Sequence, residues 1–357
     1  MNDLTLAATT PAALQQLWFT RCPVPTATGL AYKLGWFDEE FASDGITLST
    51  LQEQPAGSAL ARHHYDHALP ELIREGGNML ALAARAQGAD TRLIGLTWID
   101  EGQAIIVRAG SGLHAPHQLK GLRVALPAYI AHPIAAHVRG SSIARGMSLH
   151  GVKGVLASAG LSLDDVRFVE VEATLRREAG TGIGGLQCLW AGLEHLAAGR
   201  VDAVYVKGAA AFDAARRLGL EVGIDIDALP QRYRVNNGTP RPITVHRSLL
   251  DDHLDVVARF LAQSLRAADW AAGNLEGVQR VLQEETRGSA LAVTQAYRNG
   301  FHQGLHPDLS PQRLTLLRQQ ADFLLLHGFL DADIDLDAWT DYRPLAVARR
   351  LLQERRI

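Results

Sequence analysis

Apolar runs of strand length alternate with stretches of helical periodicity along most of the chain, the pattern of an α/β protein built on mostly parallel sheets. The runs that predict strands are Leu14 to Phe19, Ile46 to Leu51, Arg92 to Leu96, Gln103 to Val107, Arg123 to Leu126, Val166 to Val171, Ala203 to Val206 and Ile243 to Val245. Helices are predicted at Ala27 to Gly35, Met79 to Ala86, Leu186 to Ala198, Asp252 to Ala272 and Ser310 to His327. From Leu249 onward the periodicity is nearly all helical, and no internal repeat or low-complexity tract interrupts the pattern.

Composition narrows the class. The chain of 357 residues, 47% hydrophobic and 20% charged, is long enough for two domains and for a core that needs neither disulfides nor a structural metal. Its 35 Lys and Arg against 38 Asp and Glu leave a net charge of -3 without any basic block, which removes the electrostatic case for nucleic acid or an anionic membrane as partner. Two cysteines, Cys22 and Cys188, permit at most one bridge, and the absence of any C-x-x-C or dense Cys/His cluster argues against a zinc site. No run of about 18 apolar residues suggests a membrane span. Met1 to Leu17 has no Lys or Arg, carries Asp3 and lacks an unbroken apolar core, so the chain is expected to be cytoplasmic. A monomer is the expected state.

Three segments carry candidate chemistry. In Arg21-Cys22-Pro23-Val24-Pro25 the two prolines remove backbone donors and stiffen the connection that follows a strand, a rigid mount for a thiol close to a helix start. Read alone, Cys22 is equally a small buried apolar residue. His64 and Arg74 lie in the second segment, which runs to Gly76-Gly77-Asn78, where a helix begins. An arginine before two glycines at a helix start is either a site for a small oxyanion or a turn closed by a surface cation. His63 and His67 compete with His64 as acid, base or thiol partner. Together, a Cys, a His and an Arg before a glycine pair supply the parts for thiol chemistry on a bound anion. Gly180 to Gly185 reads as a cleft loop, since it lacks the Walker lysine, and Cys188 as a core thiol. Asp164-Asp165 and Asp251-Asp252 read as caps of helices or turns.

These residues resemble the 2'-hydroxybiphenyl-2-sulfinate desulfinases of bacterial dibenzothiophene desulfurisation. The resemblance rests on Cys22-Pro-Val-Pro25, Gly35, Asp44-Gly45-Ile46, and His64 followed by Arg74, Gly76 and Gly77 at unchanged spacing. It continues through Gly300-Phe301, Gln319 to Phe329 and Ala338-Trp339. His117 to Leu126 and Gly199 to Val206 are similar to the wider superfamily of type II periplasmic-binding-protein-like and sulfonate-binding chains. The resemblance implies a two-lobed α/β fold with a ligand cleft between the lobes, lobe 1 formed by 1-107 plus 241-357 and lobe 2 by 108-240, with crossings near Val107 and Pro240. It also implies a cofactor-free desulfinase that replaces a sulfinate by hydrogen and releases sulfite from a small anionic organosulfur substrate. Cys22 would be the essential thiol, His64 its hydrogen-bonded partner and Arg74 the sulfinate clamp, with Pro23, His67, Gly76 and Gly77 at the substrate. Where the family has Tyr and Gln contacts, this chain has His67 and Leu69, and the stretch from His150 to Leu156 lacks the expected tryptophan. Trp36, Trp190, Tyr205 and Phe212 are the available aromatics, each also suited to a core layer. The competing function is a solute-binding protein of an importer for sulfonate-type anions, because one fold supports both. An enzyme of thiamine-pyrimidine synthesis fits less well, since its Cys-rich motif is missing.

Overall fold

A computed structural model describes residues 13–21, 24–55, 58–129, 142–172, 190–298 and 300–355. Two sheet systems organise these residues. The first contains β1 (Gln16–Thr20), β2 (Thr47–Thr50), β3 (Leu72–Glu75), β4 (Thr91–Thr97) and β10 (Arg241–His246) in the order β2-β1-β3-β10-β4. The second contains β5 (Gln103–Arg108), β8 (Val204–Lys207) and β9 (Leu220–Asp225), in the order β8-β5-β9. A further pair, β6 (Arg123–Pro127) with β7 (Arg167–Val171), meets the chain just before β8 through a parallel bridge between Val124 and Ala203.

Among the described residues, parallel strand ladders join β1 with β2 and β3, and β6 with β7. The strands adjoining the passages between the sheets, β5 and β10, are antiparallel to both neighbours, so the sheets are mixed and not mostly parallel. The whole of β5 pairs with β8 and β9, and the chain passes from β4 of the first sheet to β5 of the second between Trp98 and Gly102. The return runs between β9 and β10 and ends at Pro240, next to the first residue of β10.

Helices cover both systems: α1 (Ala27–Lys33), α2 (Trp36–Phe41), α3 (His63–Asp66), α4 (Asn78–Ala86), α5 (Ile143–Ser158), α6 (Leu193–Ala197) and α7 (Ala209–Arg217). The C-terminal third adds α8 (Arg247–Asp252), α9 (Leu254–Ala272), α10 (Leu275–Thr286), α11 (Ala290–Ala296), α12 (Pro311–Leu326), α13 (Leu336–Trp339) and α14 (Arg343–Glu354). The apolar stripe of α9 is buried in the larger core, where Phe260 stacks on Phe37 with ring centroids 4.4 Å apart. A second core cluster, including Ile105, Val124, Val152, Tyr205 and Ile224, lies between the second sheet system and α5. Among the described residues, no helix is long and apolar enough to cross a membrane.

Two elements contradict the hydrophobic pattern. Strand β3 reads Leu-Ile-Arg-Glu, yet all four residues are buried, Arg74 and Glu75 at 1% exposure each. Helix α5 carries Gly146, Gly151 and Gly154, poor helix formers whose absence from the predicted set follows from propensity. Packing explains two of them. A Cβ on Gly151 would stand 2.1 Å from the Tyr205 ring, and one on Gly154 would stand 2.0 Å from the Tyr233 carbonyl oxygen.

Candidate active site

The site is built at one end of the first sheet, where β1 and β3 run side by side and Thr20 pairs with Arg74. β1 delivers the chain to Arg21 and the Cys22 connection, and Thr26 caps α1, its side chain accepting from the Gly29 amide at 2.9 Å. Cys22 and Pro23 themselves lie outside the described residues, as do Cys188 and Gly180 to Gly185.

The stem of that connection is held by a polar network. Gln52 Nε2 donates to Thr20 Oγ1 at 2.5 Å and to the Arg21 carbonyl at 2.6 Å, while its Oε1 accepts from Thr50 Oγ1 at 2.6 Å. Arg21 is 5% exposed, and its Nη2 donates to Glu285 of α10 at 2.7 Å. Thr20 Oγ1 is hydrogen-bonded to His64 Nδ1 at 2.9 Å. His64 is thus tied to a residue two positions before Cys22. His63 is engaged elsewhere, its Nδ1 2.8 Å from Asp66.

Arg74 reaches the same place from β3. Its Nε donates to the His64 carbonyl at 3.1 Å and its Nη2 to the Gly77 carbonyl at 3.1 Å, two fixed backbone acceptors that set the plane of the guanidinium. Gly76 makes room for it, since a Cβ there would stand 2.8 Å from Arg74 Nη2. Gly77 is the N-cap of α4 and lies against the return passage, where a Cβ would stand 2.8 Å from the Asn237 carbonyl oxygen. The two glycines therefore serve close approach. The Gly76 amide donates to the Pro242 carbonyl at 3.3 Å and the Asn78 amide to the Asn237 carbonyl at 2.8 Å, so both are spent inside the protein.

Adjacent strand residues face opposite sides, and Glu75 points away from His64, with Oε1 accepting from Thr97 of β4 at 3.1 Å. Burial pushes its carboxyl up, against the opposing influence of Thr28 and Arg241. His67 closes α3 in the left-handed region at φ 53 and is 4% exposed. Of the aromatic candidates, Tyr205 and Phe212 are core residues at 1% and 5% exposure, and the Tyr205 hydroxyl donates to Gln103 at 2.8 Å. Arg266 lies over the Trp36 ring, 4.0 Å from its centroid. Asp165 forms a capping box with Ser162, whereas Asp251 and Asp252 close α8 instead of opening an element. Among the described residues, no group of three or more His, Cys, Asp or Glu side chains could hold a metal.

The structure therefore gathers His64, Arg74, Gly76 and Gly77 around the stem of Cys22. Thr20, Gln52 and Asn237 join them without a motif to announce them. The only sequence signal was that Thr20 directly follows the predicted strand Leu14 to Phe19 and Asn237 precedes a Gly.

No protein-family model matches the chain, and no curated protein matches it. Its fold does have solved counterparts. A Cys-to-Ser mutant of DSZB in complex with biphenyl-2-sulfinic acid is 23% identical with a TM-score of 0.69, the match covering 94% of this chain and 99% of that one. The desulfurization enzyme DSZB is 24% identical with a TM-score of 0.68 over the same shares. The periplasmic aliphatic sulphonate binding protein SsuA from Escherichia coli is 16% identical with a TM-score of 0.64 over 92% of each chain. The fold is thus the mixed α/β architecture shared by these periplasmic-binding-protein-like structures.

Proposed function

We propose that the protein is a cofactor-free, cysteine-dependent desulfinase that cleaves the carbon-sulfur bond of an organic sulfinate and releases sulfite. The observation that carries this reading is the linkage of its parts. A buried arginine is hydrogen-bonded to the backbone of His64, and the His64 ring is bonded to Thr20, two residues before Cys22. An anion-binding protein needs the arginine but has no use for a histidine coupled to a thiol-bearing connection. The resemblance in sequence to desulfinases runs through these same residues, and DSZB is among the proteins that share the fold.

In this reading Arg74 holds a sulfinate oxygen, the Gly77 amide at the start of α4 supplies a second donor, and His64 governs the proton of Cys22. The overall change is sulfinate plus water giving the hydrocarbon plus bisulfite. Two routes balance. In one, the Cys22 thiol protonates the carbon bearing sulfur, sulfur dioxide departs and is hydrated, and the thiolate regains a proton. In the other, the thiolate attacks sulfur, the carbon leaves and takes a proton, and water hydrolyses the sulfur adduct back to thiol and bisulfite.

The decisive experiment is sulfite release by the wild-type protein and Cys22→Ser across aromatic and aliphatic sulfinates, with binding followed in parallel. Sulfite that depends on Cys22 supports the desulfinase. Tight binding without sulfite supports the second reading, a sulfonate-type binding protein, which the shared fold with SsuA favours.

A further inference from the structure

The hydrogen-bonded chain that reaches Gly77 extends beyond it. Because the Asn237 carbonyl accepts from the Asn78 amide and stands where any Cβ on Gly77 would meet it, the place of Asn237 sets that of the Gly77–Asn78 step. Asn237 is held through its side chain. Its Nδ2 donates to the Ile143 carbonyl at the start of α5 at 2.7 Å, and its Oδ1 accepts from Gln320 Nε2 of α12 at 2.8 Å. Gln320 Oε1 is in turn hydrogen-bonded to His150 Nδ1 of α5. Asn237, Gln320 and His150 are 1%, 0% and 2% exposed, so water is not at hand to replace a lost partner.

Proton directions follow from the one end that cannot change. A backbone carbonyl only accepts, so the Asn237 atom facing Ile143 is the amide nitrogen and the atom facing Gln320 is its oxygen. Gln320 must then present Nε2 to Asn237 and Oε1 to His150, and His150 must carry its proton on Nδ1. Burial pushes the His150 pKa down to about 3, with Lys153 and His327 also lowering it and the Gln320 bond opposing, so the ring is neutral as the chain requires. The ring stacks on Phe323 of α12 at 3.9 Å between centroids.

We propose that Gln320 is a positioning residue for the anion clamp: by holding Asn237 and tying it to His150, it fixes the Gly77 carbonyl that orients the Arg74 guanidinium. This rests on the reading of Arg74 as the sulfinate-binding group. Asn237 lies on the return passage and α5 packs on the second sheet system, so the clamp on the first sheet is referenced to both halves of the molecule. Nothing in the chain beyond Gly77 needs to touch the sulfinate.

The test uses the Cys22→Ser protein as parent, biphenyl-2-sulfinate as probe, and hydrogen exchange at residues 77–79 as a second readout. Gln320→Met is expected to weaken binding about tenfold at every pH and to raise exchange at those amides. Gln320→Glu is expected to match the parent at low pH, where a carboxylic acid both donates to Asn237 and accepts from His150. Its affinity should fall about tenfold, with rising exchange, as the carboxyl ionises toward pH 9, a step the parent lacks. Unchanged exchange at 77–79 in Gln320→Met, or a flat pH profile in Gln320→Glu, overturns the proposal. If Gln320→Met does not fold, the pH step in Gln320→Glu decides alone. A parent that binds no sulfinate, with exchange responding as expected, overturns the sulfinate reading and leaves Gln320 as the residue that positions Gly77.

Discussion

Arg74 and the two glycines after it show how much chemistry depends on a missing side chain. Alanine at position 76 would put a methyl group 2.8 Å from the Arg74 guanidinium, whereas alanine at 77 would meet a backbone oxygen at the same distance. The two clashes resolve differently, because a side chain can move and a backbone passage cannot. Gly76→Ala should therefore leave thermal stability nearly unchanged and weaken sulfinate binding. Gly77→Ala should lower stability by about 1 to 3 kcal/mol, read by denaturant unfolding. Arg74→Ala should cost about 1.5 to 3 kcal/mol of sulfinate binding, measured by calorimetry, as one charge-assisted hydrogen bond is lost. Cys22→Ser should retain binding while sulfite release disappears. Equal loss of binding in the Cys22 and Arg74 variants would contradict their separate roles.

At the level of elements, β3 and α5 were hidden for related reasons. A strand of Leu, Ile, Arg and Glu has no apolar alternation, because its two charged residues are buried against partners supplied by α3, α4 and β4. A helix with three glycines scores poorly by propensity, because the glycines answer to Tyr205, Tyr233 and Asn237 and not to the helix itself. Gly154→Ala is accordingly expected to destabilise by about 3 kcal/mol, although alanine is the better helix former, since the Tyr233 carbonyl occupies the space. A gain in melting temperature for that variant would contradict the packing of α5. The longer helices of the C-terminal third were legible because their apolar stripes are continuous. α9 spans Leu254–Ala272 where Asp252 to Ala272 was expected, and α12 spans Pro311–Leu326 where Ser310 to His327 was expected.

Over the whole molecule, the junction between the sheets carries buried charge, and this sets a pH dependence. Burial, with Asp225 beside it, pushes the Asp227 carboxyl up to about 6, with Arg234, Arg298 and Lys207 opposing. The folded state thus holds the proton more tightly than the unfolded chain. Stability from this group is fully present below the ordinary aspartate range and is lost as pH rises through about 6. Asp227→Asn should remove that slope and raise stability at pH 8 by as much as about 2 to 3 kcal/mol, measured by urea unfolding across pH. An unchanged slope would place the titration elsewhere. Lys207 in the same junction is pushed down by burial, with Glu101 opposing, so ionic contacts there are finely balanced.

Patterning along the chain established the α/β class, most strands and the C-terminal helices, because each depends on which side of an element is apolar and that information is local. The Cys22, His64, Arg74 and Gly-Gly segments were also visible, since rigid prolines, a cation and paired glycines are unusual neighbours. Three things waited for the folded chain. The pairing of β5 with β8 and β9 was one, because strand partners are chosen across long sequence separations. The burial of Arg74 turned a turn-closing cation into a fixed guanidinium. The links from Thr20 to His64 and from Asn78 to Asn237 arose because hydrogen bonds between residues 44 and 159 positions apart are set by the packing of whole elements, which no local pattern records.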